Sequence, residues 1–291
     1  MKRITFGKKS KSLLRALLGL ACVLMLFRWF EHKQVYHPSR LMAQNAAEME
    51  SLQPWEDVYF NTTDGVRLNG WFFPAITNSP RAQFVVLLCH GNGGNISHRL
   101  DVYQALREAG VAVFALDYRG YGLSHGRPSE AGTYLDAQAA YAWLRQKGFA
   151  PTNIISYGES LGGGIASELC VREMTGGLIL QSTFTSIPDI GAEIYPWLPV
   201  HWLASIRYDT LSRLPKLKVP VLVMHSRDDG LIGYRHSERN FAAANEPKLF
   251  VEIHGDHNDP LYDQQGFAEG IEKFLELIES RDQTTIGQTQ P

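Results

Sequence analysis

The stretch Ser156-Tyr157-Gly158-Glu159-Ser160-Leu161-Gly162-Gly163-Gly164 constrains this chain more than any other. It carries Gly-Glu-Ser-Leu-Gly, a G-x-S-x-G pattern, between a short apolar strand (Ile154 to Tyr157) and a helix-like run from Ile165 to Met174. A nucleophilic serine on a sharp strand-to-helix turn is held in strained backbone geometry. The chain passes so closely there that only small neighbours fit, hence Gly158 and Gly162. The helix that follows points its positive end at the place where negative charge develops during acyl transfer. A Gly-rich turn without chemistry is the bland alternative, and the rest of the chain argues against it.

Downstream, Val219 to Met224 reads as a buried strand and runs into His225-Ser226-Arg227-Asp228-Asp229-Gly230-Leu231-Ile232. An acid at the C-terminal end of a parallel strand faces the sheet edge where such folds place their sites. A further strand, Leu249 to Ile253, opens into His254-Gly255-Asp256-His257-Asn258-Asp259. Serine, acid and histidine thus occur in that order, with two acids and two histidines to choose between. Upstream, Phe84 to Cys89 is continuously apolar, as a strand covered on both faces is, and ends in His90-Gly91-Asn92-Gly93-Gly94-Asn95. Such a loop supplies one oxyanion-hole N–H, assigned to Asn92 with Gly93 as the fallback. The other comes from Leu161, the residue after the serine.

Other chemistries fit less well. The Gly-rich loop lacks the Lys-Ser/Thr ending of a phosphate-binding loop. The 254–259 cluster lacks a third histidine or a helical H-x-x-x-H spacing for a metal, so no metal or organic cofactor is expected. Cys89 reads as a structural thiol in a buried strand, and Cys89 and Cys170 are expected to lie too far apart to bridge. His90 and His225 read as loop-ordering residues.

A length of 291 residues with 44% hydrophobic content suits one large core. From residue 55, a hairpin is followed by strands alternating with helices, which argues for a doubly wound, mostly parallel sheet. A Pro- and Trp-containing stretch, 184–215, reads as an irregular insertion. Its Phe184, Tyr195, Trp197, Leu198, Trp202 and Leu203 either wall an acyl pocket or simply pack against the sheet; Trp197 and Trp202 are the substrate-binding candidates. Net charge is −2, although the first fifteen residues are strongly basic, so the remainder is acidic and does not suit a nucleic-acid partner. Residues 1–11 form a basic N-terminus, and 12–30 are near the roughly 20 residues that span a bilayer. No small-residue cleavage site follows, so an uncleaved anchor is expected, with the basic end in the cytoplasm and the catalytic domain outside a bacterial inner membrane. Residues 31–54 read as a linker, 55–279 as the catalytic domain and 280–291 as a disordered tail.

The chain resembles membrane-anchored α/β-hydrolases of the bacterial YfhR type, related to the bud-emergence-like hydrolases and to protein depalmitoylases. The matching words are Tyr36-His37-Pro38-Ser39-Arg40, Asp64 to Trp71, His90 to Asn95, Asp117-Tyr118-Arg119-Gly120-Tyr121-Gly122, Gly158 to Gly162, Arg207-Tyr208-Asp209 and His257-Asn258-Asp259. The resemblance covers about residues 35 to 278, most of the chain. The resemblance implies an α/β-hydrolase fold with a short helical cap-like insertion and one preceding transmembrane helix. It places the histidine at His257 rather than His254. It also favours Asp229 over Asp228, since the family's acid is followed by one variable and two apolar residues, here Gly230-Leu231-Ile232. Ser160, Asp229 and His257 would then hydrolyse a small or lipid-like acyl ester or thioester through an acyl-enzyme. A prolyl-oligopeptidase-like peptidase or amidase and an idle membrane-tethered scaffold are the alternatives. No protein partner is indicated.

Overall fold

The computed structural model describes residues 8–43, 46–257, 259 and 261–288. In chain order these form α1 (Lys8–Val35), the two-residue strand β1 (His37–Pro38), α2 (Ala46–Ser51), β2 (Glu56–Asn61), β3 (Arg67–Phe73), β4 (Val85–Cys89) and the short β5 (Gly93–Gly94). Next come α3 (Leu100–Glu108), β6 (Ala112–Asp117), α4 (Glu130–Lys147), β7 (Ile154–Glu159), α5 (Leu161–Arg172) and β8 (Gly177–Gln181). Three short helices follow, α6 (Ile187–Ile194), α7 (Val200–Leu203) and α8 (Thr210–Arg213), then β9 (Val221–Ser226), α9 (Arg235–Ala243), β10 (Lys248–Ile253) and α10 (Gln264–Gln288).

Eight strands make one sheet in the order β10-β9-β8-β7-β4-β6-β3-β2. The β2–β3 hairpin and the β3–β6 pair are antiparallel, and the other neighbours are parallel. The apolar runs follow from this arrangement. Strands β4, β6, β8 and β9 are buried at every position because helices cover both faces. Successive side chains then serve opposite layers. Val85, Leu87 and Cys89 pack with Tyr141 and Leu144 of α4 and Ile165 of α5, whereas Val86 and Leu88 pack with Tyr103 of α3 and Phe267 and Phe274 of α10. Helix α4 shows how local sequence sets the boundaries. Ser129 caps its start by accepting the Gly132 N–H, and Gly148 ends it at φ 107°.

Two segments differ from the sequence reading. The stretch 184–215, read as irregular, holds the three short helices α6, α7 and α8; α6 is capped by Ser186, whose hydroxyl accepts the Asp189 N–H, with Pro188 in the first turn. Both are ordinary helix-start signals. The backbone of α10 also continues as helix to Gln288, past Ser280 where a disordered tail is expected, since extending an existing helix costs little; residues 289–291 lie outside the described residues.

Helix α1 contains the 12–30 segment, but none of the described helices is long and apolar enough to cross a membrane. The helix is 28 residues long, and Arg15 and Arg28 bracket its apolar run Ala16–Phe27. Leu17, Leu18, Val23, Leu24, Met25 and Trp29 are nonetheless exposed. The other end of α1 is docked on the domain that holds the eight-stranded sheet. Glu31, only 6% exposed, accepts the Ser205 N–H (2.7 Å), the Ser205 hydroxyl (2.6 Å) and the Ile206 N–H (3.0 Å). His32 Nε2 lies 2.9 Å from the Pro128 carbonyl oxygen, and the Tyr36 and Tyr208 hydroxyls share a 2.9 Å bond. Strand β1 then pairs with β5, so residues 31–38 form part of the folded unit rather than a free tether.

Candidate active site

The sheet's C-terminal edge gathers four loops, those after β4, β7, β9 and β10. The loop after β7 is the sharpest. Ser160 sits at φ 52°, ψ −116°, a conformation that costs energy for any L-residue. Its N–H donates to the Gln181 carbonyl, 2.9 Å away in the neighbouring strand. A Cβ on Gly158 would lie 2.4 Å from the Gly163 Cα, and one on Gly162 would lie 1.9 Å from the Cys89 carbonyl oxygen. Both glycines are therefore required by backbone-to-backbone contact, which holds the serine rigidly above β7.

The structure brings Ser160, His257 and Asp229 together. His257 Nε2 lies 3.1 Å from Ser160 Oγ, and His257 Nδ1 lies 2.8 Å from Asp229 Oδ2. With Nδ1–H donating to the carboxylate, Nε2 is left to accept the serine proton. The other oxygen, Asp229 Oδ1, accepts the N–H groups of Leu231 (2.9 Å) and Ile232 (2.8 Å). Burial pushes this carboxyl upward, but hydrogen bonds from His225 and His257 outweigh it and hold the group well below the usual carboxylate range. Asp228 points into solvent, and only its N–H is used, donating to Ser226 Oγ. His254 is likewise exposed, with its N–H directed to Asp263. Asn258, the middle residue of the His-Asn-Asp word, lies outside the described residues.

His225 supports the acid from behind. It is fully buried, with Nε2 at 2.8 Å from the Ile232 carbonyl and 3.2 Å from Asp229 Oδ2, while the Ser237 hydroxyl meets Nδ1. It thus ties both ends of the acid loop together.

Leu161 is the first residue of α5, so its N–H has no intrahelical acceptor. The Asn92 N–H belongs to the Gly91–Asn92 peptide, whose carbonyl accepts from His90 Nδ1 at 2.7 Å. The Asn92 carbonyl is fixed in turn by the His37 N–H (3.1 Å) and the Tyr121 hydroxyl (2.9 Å). A further clamp joins this loop to the elbow. Arg99 donates to both Glu159 oxygens (2.8 and 3.0 Å) and to the Asn95 and Gly93 carbonyls (3.2 Å each). Burial pushes the Glu159 carboxyl up, but the Arg99 guanidinium prevails and holds it below its ordinary value. The sequence contains a hint of this pair, because Glu159 puts a charge at a tight turn where an unpaired charge is costly.

Ser160 stands between two cavities of different character. One, of about 400 Å³, is lined largely by apolar side chains, among them Phe184, Ile190, Leu198 and Ile232, with Asn92 and Leu161 beside the serine. The other, of about 270 Å³, has a mixed lining in which the charged and polar side chains His98, Arg99, Glu159 and His257 stand with Leu231 and the glycines of the β4 loop. Of the insertion's aromatics, Phe184 and Tyr195 line the apolar cavity. Trp197 and Trp202, the expected pocket residues, do not: they are 77% and 92% exposed. The single turn of α7 places Val200 against the cavity and Trp202 on the opposite side. Phe27, Phe30 and Val35 of α1 also line this cavity, a place with no local sequence signal, because nothing nearby in the chain ties the helix to so distant a site. No cluster of metal-ligating side chains is present among the described residues.

A family model described as serine aminopeptidase, S33, matches residues 80–212. The Mycobacterium tuberculosis protein Rv2307c is 39% identical over 260 residues, covering 88% of this chain and 91% of its own length. The YfhR protein of Escherichia coli K12 is 34% identical over 222 residues, 73% of this chain and 78% of its own. Among solved structures, the Pyrococcus furiosus esterase Pf2001 superposes with a TM-score of 0.65 at 21% identity, covering 83% of this chain and 97% of that one. Est1E of Butyrivibrio proteoclasticus, solved with ferulic acid, gives 0.63 at 22% identity over 77% of this chain and 99% of that one.

Proposed function

The chain belongs to the α/β-hydrolase family, and on that premise we propose that it is a serine hydrolase of carboxylic esters or thioesters. The observation that carries this reading is the line from Ser160 Oγ through His257 to Asp229, opening on an apolar cavity. In the proposed reaction His257 takes the Ser160 proton as Oγ attacks the acyl carbon. Asp229 stabilises the imidazolium, and the Leu161 and Asn92 N–H groups hold the oxyanion. The alcohol or thiol departs with the proton from His257, and water, activated by the same imidazole, releases the acid. No cofactor enters this scheme.

A second reading, an aminopeptidase, is favoured by the wording of the matching family description. That activity needs a free carboxylate near the serine to receive the substrate's ammonium group. Glu31 and Glu159, the carboxylates lining the two cavities, are occupied by Ser205 and Ile206 and by Arg99. Purified full-length protein should hydrolyse p-nitrophenyl butyrate with kcat/KM exceeding that for alanine p-nitroanilide by about 100-fold or more. The reverse preference would establish the peptidase reading.

We also place the protein at a membrane through α1. The exposed apolar side chains between Leu14 and Trp29 are supporting features, as are the basic residues that precede them. The protein should sediment with membranes and resist a high-salt wash. An alkaline phosphatase fused after Pro291 should be active, as a catalytic domain outside the cytoplasm requires. Recovery in the soluble fraction would contradict the attachment, and an inactive reporter would contradict the orientation.

A further inference from the structure

The asymmetry of the two cavities beside Ser160 gives the substrate a direction. His257, which must hand a proton to the leaving group, lines only the smaller hollow, where the side chains of Arg99, Glu159 and His98 also stand. The larger cavity is apolar, and it is closed by an element outside the strand–helix core: Phe27, Phe30 and Val35 from the last turns of α1. This wall is built rather than adventitious. Phe30 packs edge-on against Tyr195, with ring centroids 5.8 Å apart, and the Glu31, His32 and Tyr36 bonds fix the same turns to the domain. The other end of the same helix carries the exposed apolar side chains.

Resting on the serine-hydrolase reading, we infer that the docked end of α1 is the acyl-binding wall. The substrate is then a single-chain acyl ester or thioester of a polar alcohol or thiol, its chain lying along Phe27 and Phe30 and its head group in the hollow beside His257. The helix thereby serves as a specificity element as well as an attachment. At about 400 Å³ the cavity lies at the small end of ligand pockets, which suits one chain rather than a diacyl lipid body. Each methylene that enters it gains apolar burial until the wall is reached.

Two phosphonofluoridates that differ only in the P-alkyl group, methyl or octyl, test this with the full chain in non-ionic detergent. Ser160 Oγ forms the bond to phosphorus, the P–F bond breaks, fluoride leaves and the serine proton passes to His257, with the P-alkyl group taking the acyl position. The readout is the ratio of octyl to methyl labelling rates, in which the amount of folded protein and detergent partitioning cancel between variants. Phe30→Ala and Phe27→Ala should each lower that ratio, by on the order of tenfold for Phe30, whereas Trp202→Ala should leave it unchanged. A ratio unchanged in both phenylalanine variants would overturn the inference while leaving the hydrolase reading intact. Absence of labelling by either probe in the wild-type protein would defeat the hydrolase reading itself.

Discussion

Ser160→Ala should lower kcat for ester hydrolysis by roughly 10⁶-fold, the scale on which a triad nucleophile acts, and leave the fold as it is. The substitution removes one hydroxyl whose contact is with His257 Nε2 at 3.1 Å, and alanine meets the same backbone strain at φ 52° that serine does. Thermal melting should therefore move by no more than about 2–4 °C. Ser156 and Ser167 make a useful contrast, since their hydroxyls bond the Ala166 and Gly164 carbonyls inside the fold. Their alanine variants should retain turnover. Turnover that survives in Ser160→Ala would remove the serine from the mechanism.

Asp229→Asn carries the second-largest effect, a fall in kcat of about 10⁴-fold. An amide at this position can present its NH₂ to His257 Nδ1, which would then need to be the acceptor; Nε2 would carry the proton and could not take one from Ser160. The geometry makes the loss steep, since Oδ2 faces Nδ1 at 2.8 Å while Oδ1 is held by the Leu231 and Ile232 N–H groups. Asp228→Asn is the internal control. Its side chain is exposed, and kcat should change by less than about threefold. Because the Asp229 carboxyl is held below the ordinary carboxylate range in the folded protein, its favourable interactions persist above the unfolded-state value. They are lost only as pH falls through the lower folded value. Acid unfolding of Asp229→Asn should accordingly show less pH dependence in the acid limb than the wild-type protein.

The parts legible in the sequence were those whose physics is local. Gly158 and Gly162 flag a backbone crossing, and the apolar runs at Phe84–Cys89 and Val219–Met224 flag strands covered on both faces. The turn after β10 offered two histidines, and family likeness pointed to His257, the one that faces Ser160. Asp229 over Asp228 was likewise a matter of register, and the Leu231 and Ile232 N–H groups explain why: the carboxylate needs two following amides within reach. What could not be read depends on contacts between distant segments. Glu31 meets Ser205, and Phe30 meets Tyr195, with most of the chain between them. The Arg28 guanidinium donates to the Leu203 carbonyl at 2.6 Å, so even the charge that bounds the apolar run is committed to the domain. Aromatic residue type alone pointed to Trp197 and Trp202, but a single helical turn decides which side chains face inward, and it put Val200 there instead. The Ser186–Asp189 cap at the start of α6 was available to a sequence reading, and the prolines around it obscured it.

Reaction of the full-length protein with a fluorophosphonate, followed by location of the adduct by peptide mass spectrometry, identifies the covalent nucleophile. One phosphonyl group per chain is expected, on Ser160, with the rate of labelling greatly reduced by His257→Ala. An adduct on any other residue, or labelling that persists in Ser160→Ala, would contradict that expectation.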